Sequence, residues 1–166
     1  MTNPNSATRA RRSLAPVQKA AFAVGAVFLL VGILGFVPGI TSNFDQLTFA
    51  GHHSEAALLG LFNVSVLHNL VHLLFGVAGL ALARTFDGAR LYLVGGGIVY
   101  LLLFIYGMVI DHDSSANFVP VNDADNWLHL ILAAAMIGLG VALGRTRDRA
   151  GAVAHRDSGN PPRSMR

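Results

Sequence analysis

Three histidines stand inside long apolar stretches of this chain, where ionisable side chains are rare. His68 and His72 are four residues apart and therefore share one face of a helix, and His129 lies in a later apolar stretch. Neutral imidazole nitrogens bind zinc, copper and haem iron. Ionisable residues within a membrane are costly to bury and mark candidate functional sites. The three histidines are thus a candidate ligand set for a haem or a divalent metal ion in the outer half of a membrane bundle.

A second interpretation of these residues needs no cofactor. Asn69 lies three residues before His72, and Asn126 lies three residues before His129. Asparagine and histidine can hydrogen-bond at a helix–helix contact, and each then satisfies the other. We expect this structural arrangement, with no bound cofactor. The polar cluster in question comprises Ser65, His68, Asn69, His72, Asn126 and His129.

The composition is that of a membrane protein. Of the 166 residues, 53% are hydrophobic and 13% are charged, against about 25% charged in ordinary soluble domains. The absence of cysteine excludes a secreted disulfide scaffold. The isoelectric point is near 10.0, but the basic residues do not form a patch on a soluble domain. The sequence therefore gives no indication of nucleic-acid binding.

Four apolar stretches are long enough to cross a bilayer as helices, which takes about 20 residues each. None contains Lys, Arg, Asp or Glu, so no stretch has the charged face of a helix in a soluble bundle. The sequence predicts an all-α, polytopic transmembrane four-helix bundle within residues 19–145. The expected spans are about residues 20–37, 61–83, 91–110 and 127–143.

The basic residues predict the orientation. All twelve Lys and Arg lie in the N-terminal part up to Lys19, in the short second connection, or in the tail from Arg145 onward. The loops at residues 39–60 and 111–126 have none and are acidic. Under the positive-inside rule, both termini are cytoplasmic in the cell membrane. We expect residues 1–18 to be a disordered basic arm and residues 146–166 a disordered tail.

An internal repeat accompanies the histidines. Residues 69–74 (NLVHLL) align with residues 126–131 (NWLHLI) at an offset of 57. The repeat predicts two α-hairpins related by a pseudo-twofold axis along the membrane normal, and chance similarity between Leu-rich helices is the alternative. In the second and fourth spans, the polar residues lie along one helix face, which we call the polar stripe. Small residues continue each polar stripe and allow close helix approach. We expect the stripes to face each other or the bundle centre, through Gly76 and Gly79 in the second span and Gly140 and Gly144 in the fourth.

Two motifs carry a family resemblance. Residues 68–79 (HNLVHLLFGVAG), followed by residues 125–130 (DNWLHL), are similar to a family of small four-helix membrane proteins common in actinobacteria. That family is catalogued only as a domain of unknown function, and the resemblance covers about residues 20–145. It implies a polytopic membrane protein without an assigned activity.

We therefore expect a non-enzymatic integral membrane protein, an accessory or assembly component of a membrane complex. Its expected partners are membrane lipids and other membrane subunits or a second copy of the chain. The alternative is a haem- or metal-binding redox protein that uses the intramembrane histidines.

Overall fold

The structure, a computed structural model, describes residues 13–51, 53–112, 114, 116–118 and 120–158. Residues 1–12 of the predicted arm and 159–166 of the predicted tail lie outside the described residues. The described chain is mostly helical and confirms the predicted all-α membrane bundle, to which it adds one small sheet. Its helices are α1 (Pro16–Leu34), α2 (Val66–Leu82), α3 (Phe86–Val109) and α4 (Asp123–Ser158).

Three of these helices are long and apolar enough to cross a membrane. They are α1, α3 and the part of α4 up to Arg145, with mean hydropathies of 2.1, 2.0 and 2.0. The apolar helix α2 has 17 residues. At 1.5 Å per residue it is about 26 Å long, at the lower limit of helices that span a bilayer.

Helix caps explain why α2 and α4 begin elsewhere than the apolar pattern predicts. The second helix begins at Val66 instead of Leu61, because the Ser65 hydroxyl accepts a hydrogen bond from the His68 backbone N–H at 3.1 Å. The fourth helix begins at Asp123, four residues earlier than expected, because the preceding Asn122 caps it in the same way. The capping residues, and not the limits of the apolar stretches, therefore determine where these two helices begin.

The other boundaries also differ from the expected spans. Helix α1 begins at Pro16, inside the predicted arm, and α3 begins at Phe86, directly after its capping residue Thr85. Helix α4 continues to Ser158, through a stretch where the sequence favoured an irregular tail. Alanine and arginine, both strong helix formers, are frequent in that stretch, and the first proline beyond the span is Pro161.

The helices pack as two hairpins, as the repeat predicts. Contacts within the pairs α1–α2 and α3–α4 far exceed those between the pairs. At the inner end, the Gln18 side chain of α1 donates hydrogen bonds to the carbonyls of Ala83 and Arg84, at 3.0 and 2.9 Å. These bonds tie the start of α1 to the turn between the hairpins. The centre of the bundle is formed by buried residues such as Phe28, Tyr92, Leu93, Tyr100, Ala133 and Met136.

The connections at the other end form a cap over the bundle. Strands β1 (Thr41–Ser42), β2 (Ala57–Leu58) and β3 (Phe62–Asn63) form an antiparallel sheet in that order. The connection between α3 and α4 packs against the connection between α1 and α2, because the Gly51 N–H donates to the Phe118 carbonyl at 2.6 Å. We refer to residues 39–64 and the described part of 111–122 as the outer cap, a name that follows the orientation predicted from the sequence.

Candidate functional site

The three intramembrane histidines lie together beneath the outer cap. His72 and His129 each come six residues after the first residue of their helix, so they lie at the same depth. The exposed fractions of His68, His72 and His129 are 7%, 9% and 6%. The span limits expected from the sequence placed His129 nearer the surface, and the earlier start of α4 removes that difference.

The rings of His68 and His72 stack along one face of α2. Their centroids are 4.6 Å apart and their planes differ by 9°. His72 Nδ1 is 3.0 Å from the backbone carbonyl oxygen of His68. A carbonyl oxygen only accepts hydrogen bonds, so Nδ1 carries the proton and Nε2 of the neutral ring keeps its lone pair.

Two further ring nitrogens are buried without a partner. His68 Nδ1 and His129 Nδ1 have no hydrogen bond within the described residues. A buried polar group left unpaired costs about 1–3 kcal/mol, so native structures normally satisfy such groups with protein or ordered water.

Two cavities are lined by these histidines. One, of about 90 Å³, is lined by the three histidines together with Tyr100 and Tyr106. The other, of about 110 Å³, is lined by the same histidines and by Asp125. A water molecule occupies about 30 Å³ in the liquid, so each cavity has room for a few waters or a small ligand. We refer to the two cavities and their histidines as the histidine chamber.

The asparagine side chains make their contacts away from the histidines, and within the described residues Asn69 Nδ2 and Asn126 Oδ1 are buried without a hydrogen-bond partner. The Asn126 amide donates to the Gly107 carbonyl of α3 at 2.9 Å. The Asn69 side chain packs directly on Gly35, at the end of α1, where a Cβ would overlap it. Within the described residues, neither Asn69 nor Asn126 hydrogen-bonds to His68, His72 or His129, so the expected pairing is not the arrangement seen.

Three of the four stripe glycines, Gly76, Gly140 and Gly144, pack within their own hairpins, whereas Gly79 also contacts α3 of the other hairpin. A Cβ on Gly76 would meet the backbone and side chain of Leu29 at 2.7 Å, and a Cβ on Gly79 would meet Tyr92 at 2.6 Å. A Cβ on Gly140 would meet Val94 at 2.7 Å, and a Cβ on Gly144 would meet Arg90 at 2.9 Å. The histidine ends of the stripes therefore meet at the chamber, whereas the glycine ends contact α1 and α3.

A second repeat, between α1 and α3, escaped the sequence analysis. Gly25, Phe28 and Gly35 correspond to Gly97, Tyr100 and Gly107 at a constant offset of 72. The signal lies in residues 27–30 (VFLL) and 99–102 (VYLL), which are too apolar to stand out by composition. Because the offset differs from the 57 residues that relate α2 to α4, a search at one offset finds only half of the repeat.

Both repeats place equivalent contacts in the two hairpins. Phe28 packs on His72 with ring centroids 5.5 Å apart, and its counterpart Tyr100 packs on His129 at 5.4 Å. Asn69 packs on Gly35 as Asn126 packs on Gly107. The offset of 57 residues also aligns His68 with Asp125. His68 lies four residues before His72, and Asp125 lies four residues before His129.

Asp125 is a site residue that the sequence analysis left among the loop charges. It is 2% exposed. Its Oδ2 accepts hydrogen bonds from the backbone N–H of Asn63 at 3.1 Å and of Asn122 at 3.0 Å. The carboxylate thus joins strand β3 of the outer cap to the start of α4 and lines the larger cavity.

Comparison with known proteins identifies the family. Residues 18–142 match the family model described as Domain of unknown function (DUF4383). The match covers well over half of the chain, so the chain belongs to this family, and the predicted resemblance to an uncharacterised membrane family is confirmed. No curated protein and no solved structure matches the chain.

Proposed function

We propose that this member of the DUF4383 family is an integral protein of the cytoplasmic membrane that binds a small ligand in the histidine chamber. One observation carries the proposal. His68 and His129 each bury an Nδ1 atom that has no hydrogen-bond partner in the described part of the chain, and both rings line the same two cavities. Water or a ligand in the cavities would supply the missing partners once the rings turn toward it.

The cost of this arrangement supports a binding role. Apolar residues at these positions would pack against one another without leaving polar atoms to satisfy. The chain instead places three imidazoles and the Asp125 carboxylate around one small volume, at matched positions of both hairpins. Polar residues that face the interior of a membrane bundle commonly mark ligand or ion sites.

The orientation is part of the proposal. The apolar helices indicate a membrane protein, and the distribution of Lys and Arg supports cytoplasmic termini, with the outer cap on the opposite side. In this orientation the chamber lies in the half of the membrane that faces away from the cytoplasm. A water-soluble ligand would then enter beneath the outer cap.

We propose a role in binding for the chamber. We therefore assign the chain an accessory or assembly role in a membrane complex, alongside other membrane subunits or a second copy. Lipid or a partner helix would cover exposed apolar side chains such as Leu102, Ile105 and Val109 of α3.

The volume of the chamber counts against a haem. Pockets for molecules of drug or cofactor size typically enclose about 300–1,000 Å³. The cavities beside the histidines measure about 90 and 110 Å³. The haem form of the redox alternative is therefore not proposed, whereas an ion or another small ligand fits the volume.

Cysteine reactivity tests whether the chamber is open to small solutes. The chain has no native cysteine, so a single introduced thiol reports its own surroundings. Val121 is 2% exposed and lines the smaller cavity, whereas Val17 is 0% exposed and lies in the packed core. We expect a small charged methanethiosulfonate to modify Val121→Cys at least about tenfold faster than Val17→Cys in the detergent-solubilised protein, because the reaction needs a hydrated thiolate.

Glu55→Cys, at an exposed position of the outer cap, defines the rate of an unprotected thiol. If Val121→Cys reacts as slowly as Val17→Cys, the chamber is closed to small solutes and the proposed binding role is wrong.

A further inference from the structure

We infer that the histidine chamber is a site for a borderline divalent transition-metal ion, Zn²⁺ or Cu²⁺. The proposed ligands are the imidazoles of His68, His72 and His129, with the Asp125 carboxylate as the fourth donor. This inference rests on the proposed binding role of the chamber and names the class of ligand. The larger cavity, of about 110 Å³, is the volume that all four side chains line.

The repeat supplies the four donors symmetrically. His68 and His72 are four residues apart on α2, and Asp125 and His129 are four residues apart on α4. Residues at this spacing project from one helix face, which is how a single helix presents two ligands to one metal ion. Each hairpin thus contributes one pair of donors at equivalent positions, and four donors match the tetrahedral coordination of zinc.

The hydrogen bonds around the donors suit coordination. Histidine ligands generally donate their other ring N–H to a carbonyl or a carboxylate, which orients the ring and selects the coordinating nitrogen. His72 does so through Nδ1 to the His68 carbonyl, which leaves Nε2 as the ligand atom. The two hydrogen bonds accepted by Asp125 Oδ2 hold its carboxylate in the same manner.

The donor types determine the class of ion. Imidazole nitrogens favour zinc, copper and nickel, whereas magnesium and calcium prefer sites built from oxygen ligands. The chain offers no thiolate, because it contains no cysteine. One carboxylate would reduce the net charge of a bound divalent ion from +2 to +1, which lowers the cost of holding the ion within the membrane.

Binding requires a local rotation of the side chains. In the described residues no three His, Cys, Asp or Glu side chains already converge on a common point, and the His68 and His72 rings are stacked parallel. The adjoining cavities of about 90 and 110 Å³ provide space into which the rings can turn.

Metal titration of the full-length, detergent-solubilised protein tests the inference. The protein is first treated with a chelator and then dialysed against Zn²⁺, Cu²⁺ or Mg²⁺, and bound metal is measured by elemental analysis. We expect about one Zn²⁺ or Cu²⁺ per chain and no stoichiometric Mg²⁺. His72→Gln and His129→Gln should each weaken Zn²⁺ binding by at least about 100-fold, since loss of an outer-shell partner alone commonly costs 10–100-fold.

The exposed His53 provides the matched control. His53→Gln should retain the affinity of the wild-type chain, and equal losses in His53→Gln and His129→Gln would assign the metal to the outer surface and overturn the inference. X-ray absorption on the zinc-loaded wild-type protein keeps the test independent of variant folding. We expect scattering from three imidazoles, and a site with one imidazole or none would overturn the inference.

A chamber that admits the thiol reagent but binds no Zn²⁺ or Cu²⁺ would refute the metal site while leaving the proposed binding role intact. Failure of the cysteine experiment would refute both. The two results therefore distinguish an incorrect ligand class from an incorrect function.

Discussion

Phe28 of α1 and Tyr100 of α3 stack on each other at the centre of the bundle, with ring centroids 5.3 Å apart and planes inclined by 26°. The two residues occupy equivalent positions of the repeat, and each packs on the histidine of its own hairpin. The pair thus joins the two hairpins directly beside the histidine chamber. Contacts between α1 and α3 are fewer than those within either hairpin, and this stacked pair is one of them.

Replacement of Phe28 should therefore loosen the bundle. Phe28 is 3% exposed, and loss of a buried phenylalanine side chain costs about 3 kcal/mol or more in well-packed cores. We expect Phe28→Ala to lower the free energy of unfolding by about 3 kcal/mol, measured by denaturant titration in detergent. Leu30→Ala, on the same helix, should cost less than about 1 kcal/mol, because Leu30 is 55% exposed and lipid or detergent can replace its contacts. Similar losses for both variants would contradict the central role of the pair.

Gly107 is expected to tolerate no side chain. A Cβ at this position would overlap the Asn126 side chain, so Gly107→Ala must displace the amide that bonds the Gly107 carbonyl. We expect a loss of about 1–3 kcal/mol, typical of an overpacked core. Thermal unfolding in detergent measures the effect.

Gly138 provides the matched control, because a Cβ there would meet nothing within 4 Å. Alanine has a higher helix propensity than glycine by about 1 kcal/mol, so Gly138→Ala should leave stability unchanged or raise it. If Gly107→Ala is as stable as Gly138→Ala, Gly107 and the Asn126 side chain are not in close contact.

The membrane architecture was predictable because hydropathy reports it directly. Uncharged stretches of about 20 residues require internally hydrogen-bonded helices in lipid, and the repeat around His72 and His129 indicated the two hairpins. Helix ends were less predictable. Ser65 and Asn122 begin their helices by capping backbone N–H groups, and an apolar pattern carries no signal for such hydrogen bonds.

The site was predictable only in part, because residue types do not specify partners. The sequence grouped the three histidines as a candidate ligand set but placed His129 nearer the surface, and Asn126 bonds to a glycine carbonyl of α3 instead of a histidine. That contact depends on the close approach of two helices at Gly107. Asp125 was missed because a carboxylate next to a predicted loop resembles a solvated charge, whereas the outer cap buries it.

Asp125 should be essential for joining the outer cap to the bundle. Asp125→Ala removes the acceptor for the backbone N–H groups of Asn63 and Asn122. Buried donors left without a partner cost about 1–3 kcal/mol each, so we expect a loss of at least about 2 kcal/mol in denaturant titrations. Asp123→Ala, at an exposed position two residues earlier, should cost about 0.3–1 kcal/mol through the helix dipole alone. Equal losses in the two variants would show that the buried hydrogen bonds of Asp125 add nothing to the free energy of unfolding.

The proposed orientation can be tested with single cysteines in intact cells. Glu55 is exposed in the outer cap and Ser13 is exposed just before α1, at opposite ends of the bundle. If both termini are cytoplasmic, a membrane-impermeant maleimide should label Glu55→Cys in intact cells, and it should label Ser13→Cys only after the membrane is permeabilised. The cysteine-free wild-type chain gives the background. The reverse pattern would place the outer cap and its histidine chamber on the cytoplasmic side, which would exclude entry of a ligand from outside the cell.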